Sequence, residues 1–144
     1  MLLSTLFSLS ADLALVDVHL EGEGLVLVLR SNQTNAVCPA CAQLSTHVHG
    51  HYTRQLTDLP CQKRPVRACL EVRRFACRTR GCPRTTFAER FPLFTRTYAR
   101  RTLRQAEFLS EIAFAQGGKA GAKLAKRLGM PTSRDTRLAA HPRL

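Results

Sequence analysis

At 144 residues the chain is close to one domain on a prior of roughly 150 residues each, so one compact domain or two very small ones is expected and a large multi-layer enzyme is excluded. Apolar residues make up 44% and charged residues 22%, ordinary for a soluble globular chain, and no run approaches the roughly 18 apolar residues of a membrane helix, so no membrane partner is expected. Twenty-two Lys and Arg against ten Asp and Glu give a net charge of +12, which predicts attraction to a polyanion, nucleic acid first.

The positive charge is uneven. Residues 1–37 carry Asp12, Asp17, Glu21 and Glu23 against Arg30, so the excess, and with it the expected partner-facing surface, lies after residue 37. Eighteen of the basic residues are Arg, the better fork for phosphate oxygens and guanine edges, although a GC-rich genome also inflates Arg. The opening MLLSTLFSLSA is apolar but lacks the basic start of a signal peptide and runs directly into Asp12. Six cysteines in such a chain fit a reducing compartment, where thiols more often bind metal than form disulfides, so a cytoplasmic location is expected.

In chain order, LALVDVHL at 13–20 and LVLVLR at 25–30, separated by EGEG, predict a β-hairpin, and SNQTNA at 31–36 supplies turn chemistry. PVRACLEVRRFAC at 65–77 places Val66, Ala68, Leu70 and Val72 on one face and Arg67, Glu71 and Arg73 on the other, a half-buried strand with a basic outer face. After Pro92 the pattern turns helical. Leu103, Ala106, Leu109, Ile112 and Ala113 predict a helix of roughly 99–115 halted by Gly117 and Gly118, and Ala120, Leu124 and Leu128 line a second. Gly129 ends that helix in a left-handed conformation, and Thr132 or Ser133 caps a third with Asp135 in its first turn, a helix-turn-helix layout stopped early by Pro142. The expected class is α+β: a β-hairpin region at 1–37, a small zinc-ribbon-like antiparallel β domain at 38–92, and a helix-turn-helix segment at 93–144.

Cys38-Pro-Ala-Cys41 and Cys77-Arg-Thr-Arg-Gly-Cys82 form two knuckles that can deliver four thiolates to one zinc with no open position, a structural Zn2+ site. Chelation is expected to unfold residues 38–92, because metal affinity becomes folding free energy in so small a core. The competing reading is a thioredoxin-like redox motif at C-P-x-C, which lacks a following helix pattern and leaves the second pair without a role; inert thiols are the blander alternative. Cys61 and Cys69 read as free thiols. His47, His49 and His51 alternate as if on one strand face, as packing or solvated residues in the blander view and as ligands or DNA contacts in the sharper one.

The segment from Cys38 to Pro92 resembles the N-terminal zinc-binding domain of bacterial transposases of the ISL-three insertion-sequence group, and the resemblance extends over roughly 10–137. It rests on the two knuckles enclosing V-H-x-x-Y at Val48 to Tyr52, L-x-D-L-P at Leu56 to Pro60 and V-R-R-F at Val72 to Phe75, followed by F-A-E-R at Phe87 to Arg90. LAKRLGMP at 124–131 and SRDT at 133–136 are similar to the helix-turn-helix that follows in that family. The resemblance implies a zinc-dependent DNA-binding portion of a transposase, bacterial and nucleoid-associated, that recognises terminal inverted repeats and self-associates with the intact enzyme. Cys61 and Cys69 stand where the family has non-ligand residues. Family members continue into an RNase H-like domain whose three carboxylates hold two metal ions, whereas this sequence stops at Leu144 and Asp58, Glu71, Glu89, Glu107, Glu111 and Asp135 suggest no shared two-metal site. A truncated fragment without catalytic residues, hence not an enzyme, is the expectation.

Thirteen of the 22 basic residues fall between Lys63 and Arg104. Arg64, Arg67, Arg73, Arg74, Arg100 and Arg101 are the expected phosphate stripe, with Lys119, Lys123, Lys126 and Arg127 near the backbone of double-stranded DNA and Arg134 and Arg137 at base edges. A zinc-ribbon RNA- or ribosome-associated protein and a thiol oxidoreductase are the alternatives. Preference for structured RNA marks the first, and insulin reduction abolished by Cys38→Ser marks the second.

Overall fold

The computed structural model describes residues 2–131, so the expected third helix, with its caps Thr132 and Ser133 and with Arg134 and Arg137, lies outside the described residues. A short helix α1 (Leu2–Leu6) leads into strands β1 (Leu13–Glu21) and β2 (Gly24–Ser31), the expected hairpin. Two-residue strands β3 (Ala36–Val37) and β4 (Leu44–Ser45) make a minimal hairpin, and the long strands β5 (Val48–Cys61) and β6 (Arg64–Ala76) a large one. Strand β7 (Thr86–Ala88) pairs with the end of β6, and helices α2 (Leu103–Gln116) and α3 (Gly118–Arg127) follow. No helix among the described residues is long and apolar enough to cross a membrane.

The hairpin at the start of the chain does not stand apart from the rest. The main sheet runs β1-β2-β6-β5, and β2 meets β6 in parallel, Leu25 opposite Val66 and Leu29 opposite Leu70. The sheet is therefore mixed rather than wholly antiparallel, because the chain between β2 and β6 is long enough for the crossover that parallel neighbours require. Register carries one face through all four strands: Val18, Leu27, Ala68 and Leu56 lie in one row. Val66, Ala68, Leu70 and Val72 are buried as their alternation predicts, under Phe91 and Phe94, with Phe7 and Leu9 packed at the margin.

Helix α2 starts later than its periodicity suggested, and the sheet is the reason. Thr57 on β5 accepts at its carbonyl from the Thr102 amide (3.0 Å) and donates its own amide to the Arg100 carbonyl (3.0 Å), which holds residues 100–102 extended. Thr102 then caps the helix, its hydroxyl accepting from the Gln105 amide. Gly117 alone separates α2 from α3. The buried row of α3 is Gly121 and Ala125, with Leu124 and Leu128 at its margin, while Ala120 is exposed; the smaller residues face Leu109 and Ile112 of α2.

The end of α3 is a Schellman motif. The Met130 amide donates to the Ala125 carbonyl (2.8 Å) and the Gly129 amide to that of Lys126 (3.2 Å), with Met130 buried against Ala125. Gly129 has φ +89°, the expected left-handed end, and a Cβ there would stand 2.6 Å from the Lys63 carbonyl oxygen in the β5–β6 turn. Glycine thus meets both the sign of φ and the approach of helix to turn.

Candidate metal centre

Strand β6 changes allegiance near its end. Val66, Ala68, Leu70 and Val72 face the main core, whereas Phe75, on the opposite face, stacks on Phe87 of β7, ring centroids 5.9 Å apart. Cys38 is buried with these two rings, and Cys41, Cys77 and Cys82 pack around them. Two turns aim the thiols inward. In the first, between β3 and β4, the Cys38 amide donates to the Gln43 carbonyl and Ala42 takes a positive φ; in the second, the Cys77 amide bonds Thr85 and Gly81 sits at φ +83°.

The four sulfurs lie within 4.8 Å of one another, with Cys38 Sγ 3.8 Å from Cys82 Sγ and Cys41 Sγ 3.7 Å from Cys77 Sγ. A disulfide needs about 2.05 Å. A metal about 2.3 Å from each sulfur sets tetrahedral edges of about 3.8 Å, so the donor set has both the chemistry and the spacing of zinc. Thiol ionisation is spread unevenly across the metal-free quartet. Hydrogen bonds from the Thr79 side chain and then the Gln43 backbone bring Cys41 down to about 6. Burial works against Cys38, yet the Cys41 and Ala40 amides outweigh it and lower that thiol as well. At Cys82 the Arg84 amide is overcome by burial and by the three neighbouring sulfurs, which push it up to about 12. Four thiolates in one cluster repel, and a divalent cation removes that cost. The quartet is one structural zinc site, and zinc bound there cross-links the two turns. The redox reading loses its footing here, because Cys38 opens a single isolated turn between β3 and β4, closed by the Ala42 amide on its carbonyl, rather than a helix.

The remaining candidate residues separate by partner. Cys69 donates to the Gln55 side chain at 3.1 Å, and Cys61 packs at the edge of the main core, so neither joins the zinc quartet. The histidines do not share one uninterrupted face: a bulge between Val48 and Gly50 makes His49 the extra residue, and His51 lies 3.7 Å from the Glu71 carboxylate. Arg73 is not on an open phosphate-facing surface. Its guanidinium holds both Glu89 oxygens (3.0 and 2.8 Å), lies 5.0 Å from the Phe75 ring and donates to the Gln33 carbonyl. Arg101 is half-buried, its Nη1 without a hydrogen-bond partner among the described residues, and burial lowers its pKa. Arg67 pairs with Glu21 at 2.5 Å and Arg64 reaches the Glu23 carbonyl at 3.4 Å, both remaining exposed. Arg74, on the opposite face of β6 from Arg67, and Arg100 are exposed. Lys119, Lys123, Lys126 and Arg127 are exposed together on α3.

Sequence reasoning missed a second buried charge pair. Asp58 is 1% exposed and accepts from Arg104 Nε (2.8 Å) and Nη2 (2.5 Å), from the Thr102 hydroxyl (2.7 Å) and from the Leu59 amide (2.8 Å). The signal was available: Asp58 and Glu89 are the acids inside otherwise apolar words, and a charge carried into a core needs a partner.

Residues 34–82 match the family profile described as the zinc-finger of transposase IS204/IS1001/IS1096/IS1165. No curated protein and no solved structure matches the chain. The matched segment contains the whole quartet, so the cysteine centre is a zinc-binding region of the kind found in that transposase family.

Proposed function

We propose that the chain binds double-stranded DNA as the zinc-stabilised recognition part of a transposase-like protein, with the element's terminal inverted repeats as its target. The observation that carries this reading is the transposase zinc-finger match over the segment that holds the four cysteines. The surplus of basic residues supports it, and four of them line the exposed side of α3. In this reading Lys119, Lys123, Lys126 and Arg127 contact phosphates, joined by Arg64, Arg67, Arg74 and Arg100, while Arg73 and Arg101 serve the fold instead. Arg134 and Arg137, outside the described residues, are the proposed base-edge contacts. This part of the protein acts by binding DNA, on the bacterial nucleoid in the cytoplasm, and associates with other copies of the transposase.

The test is fluorescence anisotropy of the zinc-loaded chain on duplexes copied from the DNA flanking its gene, against scrambled duplexes of equal length. Affinity is expected to favour the flanks and to fall linearly with the logarithm of salt, by a slope of about −0.9 per phosphate contacted. Equal binding at low and high salt, or preference for structured RNA, overturns the reading.

A further inference from the structure

Two groups of arginines stand in contrast. Arg67, Arg73 and Arg104 each hold a carboxylate. Arg54, Arg74, Arg84, Arg90 and Arg96 have no acidic partner among the described residues, and all five line one cavity of about 690 Å³. The cavity lies between Pro39 of the first zinc turn, the first half of β5, the end of β6, strand β7 with the residues flanking it, and the loop before α2. The one carboxylate on its wall, Glu89, is already neutralised by Arg73. Five arginines on the wall of one concavity, with no free carboxylate there among the described residues and with Arg54 and Arg74 already engaged, leave Arg84, Arg90 and Arg96 to hold an anion with several phosphates, which the planar guanidinium fork engages in pairs.

Two tyrosines share that wall. The Tyr52 ring already carries the Arg74 guanidinium 5.2 Å from its centre. Tyr98 is 94% exposed and sits at φ +62°, an unusual conformation for so bulky a residue. Its placement is enforced: Arg54 Nη2 donates to the carbonyls of Arg96 (3.1 Å) and Ala99 (2.6 Å), bracing the turn that presents the ring. A free aromatic face beside unpaired arginines is the arrangement on which unpaired bases stack while the backbone is held electrostatically. A paired base inside a duplex offers no face to such a ring.

We infer that this groove binds a single-stranded stretch of nucleic acid, its phosphates on Arg84, Arg90 and Arg96 and a base stacked on Tyr98. The inference deepens the nucleic-acid reading above and rests on it for the class of ligand. It gives that reading a second surface, distinct from the exposed side of α3 and suited to DNA whose strands have parted.

The experiment uses the full zinc-loaded chain, a fluorescein-labelled oligothymidine strand and a labelled duplex of mixed sequence. Tyr98→Ala is expected to weaken strand binding about tenfold, within the range of one base-stacking contact, and to leave duplex binding unchanged. Tyr98→Phe retains the ring and is expected to bind the strand as the parent does. Arg84→Ala with Arg90→Ala should weaken strand binding further and flatten its salt dependence. The ring is almost wholly exposed, so its removal leaves the fold intact, and an unchanged zinc content checks this. Equal strand affinity for parent and Tyr98→Ala, or duplex binding without strand binding, overturns the groove and leaves the duplex reading standing. Strand binding without duplex binding supports the groove and removes the duplex reading; binding of neither removes both.

Discussion

Replacing Asp58 with alanine is expected to loosen helices α2 and α3 from the sheet. Asp58 is the acceptor for four donors, two of them on Arg104 and one on the Thr102 cap, and it reaches them from strand β5. Its backbone carbonyl also accepts from the Gln105 side-chain Nε2 at 3.0 Å, a bond the substitution leaves in place. The Arg104 side chain is 28% exposed and donates a further bond to the Phe7 carbonyl, so it retains some solvation when its carboxylate is removed. Breaking a buried pair from one side costs about 3–5 kcal/mol, and that partial exposure puts Asp58→Ala near the lower limit, about 3 kcal/mol. Against a total stability of about 5–15 kcal/mol this is a large fraction. Urea unfolding at fixed, saturating zinc measures it, with Arg104→Met and the double variant completing a cycle. The double variant should be more stable than the sum of the singles by about 2 kcal/mol, because neither charge is then stranded. A cost below about 1 kcal/mol for Asp58→Ala, or additivity within about 0.5 kcal/mol, refutes the argument that this pair anchors the helices.

Gly129→Ala forces a side chain into φ +89° and against the Lys63 carbonyl, and should lower stability by about 2–3 kcal/mol in the same urea assay; a change below about 0.5 kcal/mol shows that the turn can move aside. Glu89→Gln breaks a pair whose acid is only 4% exposed, and an expected loss of about 2–3 kcal/mol should accompany freer exchange of the β6–β7 amides with deuterium. Zinc release, followed with a coloured chelator, should increase as pH falls. In the metal-free chain Cys41 is depressed from 9.0 to about 6, so its thiolate contributes to folding of that state fully above about pH 9, and this contribution is lost as pH falls through about 6. Retention of zinc unchanged down to pH 4 refutes proton competition with the metal at the four thiolates. Chelation at neutral pH should expose the amides of the two zinc turns before those of the main sheet, because Phe75 and Phe87 form a core separate from that of Leu27 and Leu70.

Much of this could be read from the chain because local patterns were strong. Alternation at Val66 to Val72 assigned the buried face, and the paired cysteines located the metal centre before any geometry was known. Gly129 announced the end of a helix, although its approach to Lys63 depends on a turn some 65 residues away and has no local signature. The parallel meeting of β2 and β6 was hidden for a similar reason: leucine-rich strands carry no mark of their neighbour's direction. Reading Arg73 as an outward cation followed from alternation, which gives the face of a side chain but not the acid that waits there on Glu89. The groove arginines come from two strands, the segment after the second knuckle and the loop before α2, so no window of sequence brings them together.

The contact between β2 and β6 also bears on the order of folding. Leu25 and Val66 are about forty residues apart, and closing a flexible loop of that length carries an entropic cost before any pairing energy returns. The β5–β6 hairpin, by contrast, closes through a two-residue turn at Gln62 and Lys63 and forms from neighbours in sequence. Zinc joins Cys38 and Cys41, just beyond β2, to Cys77 and Cys82, just beyond β6, and so shortens the effective loop between the two strands. The metal is then a kinetic tether as well as a clamp: metal-free chains should acquire the hairpin quickly and the complete sheet slowly.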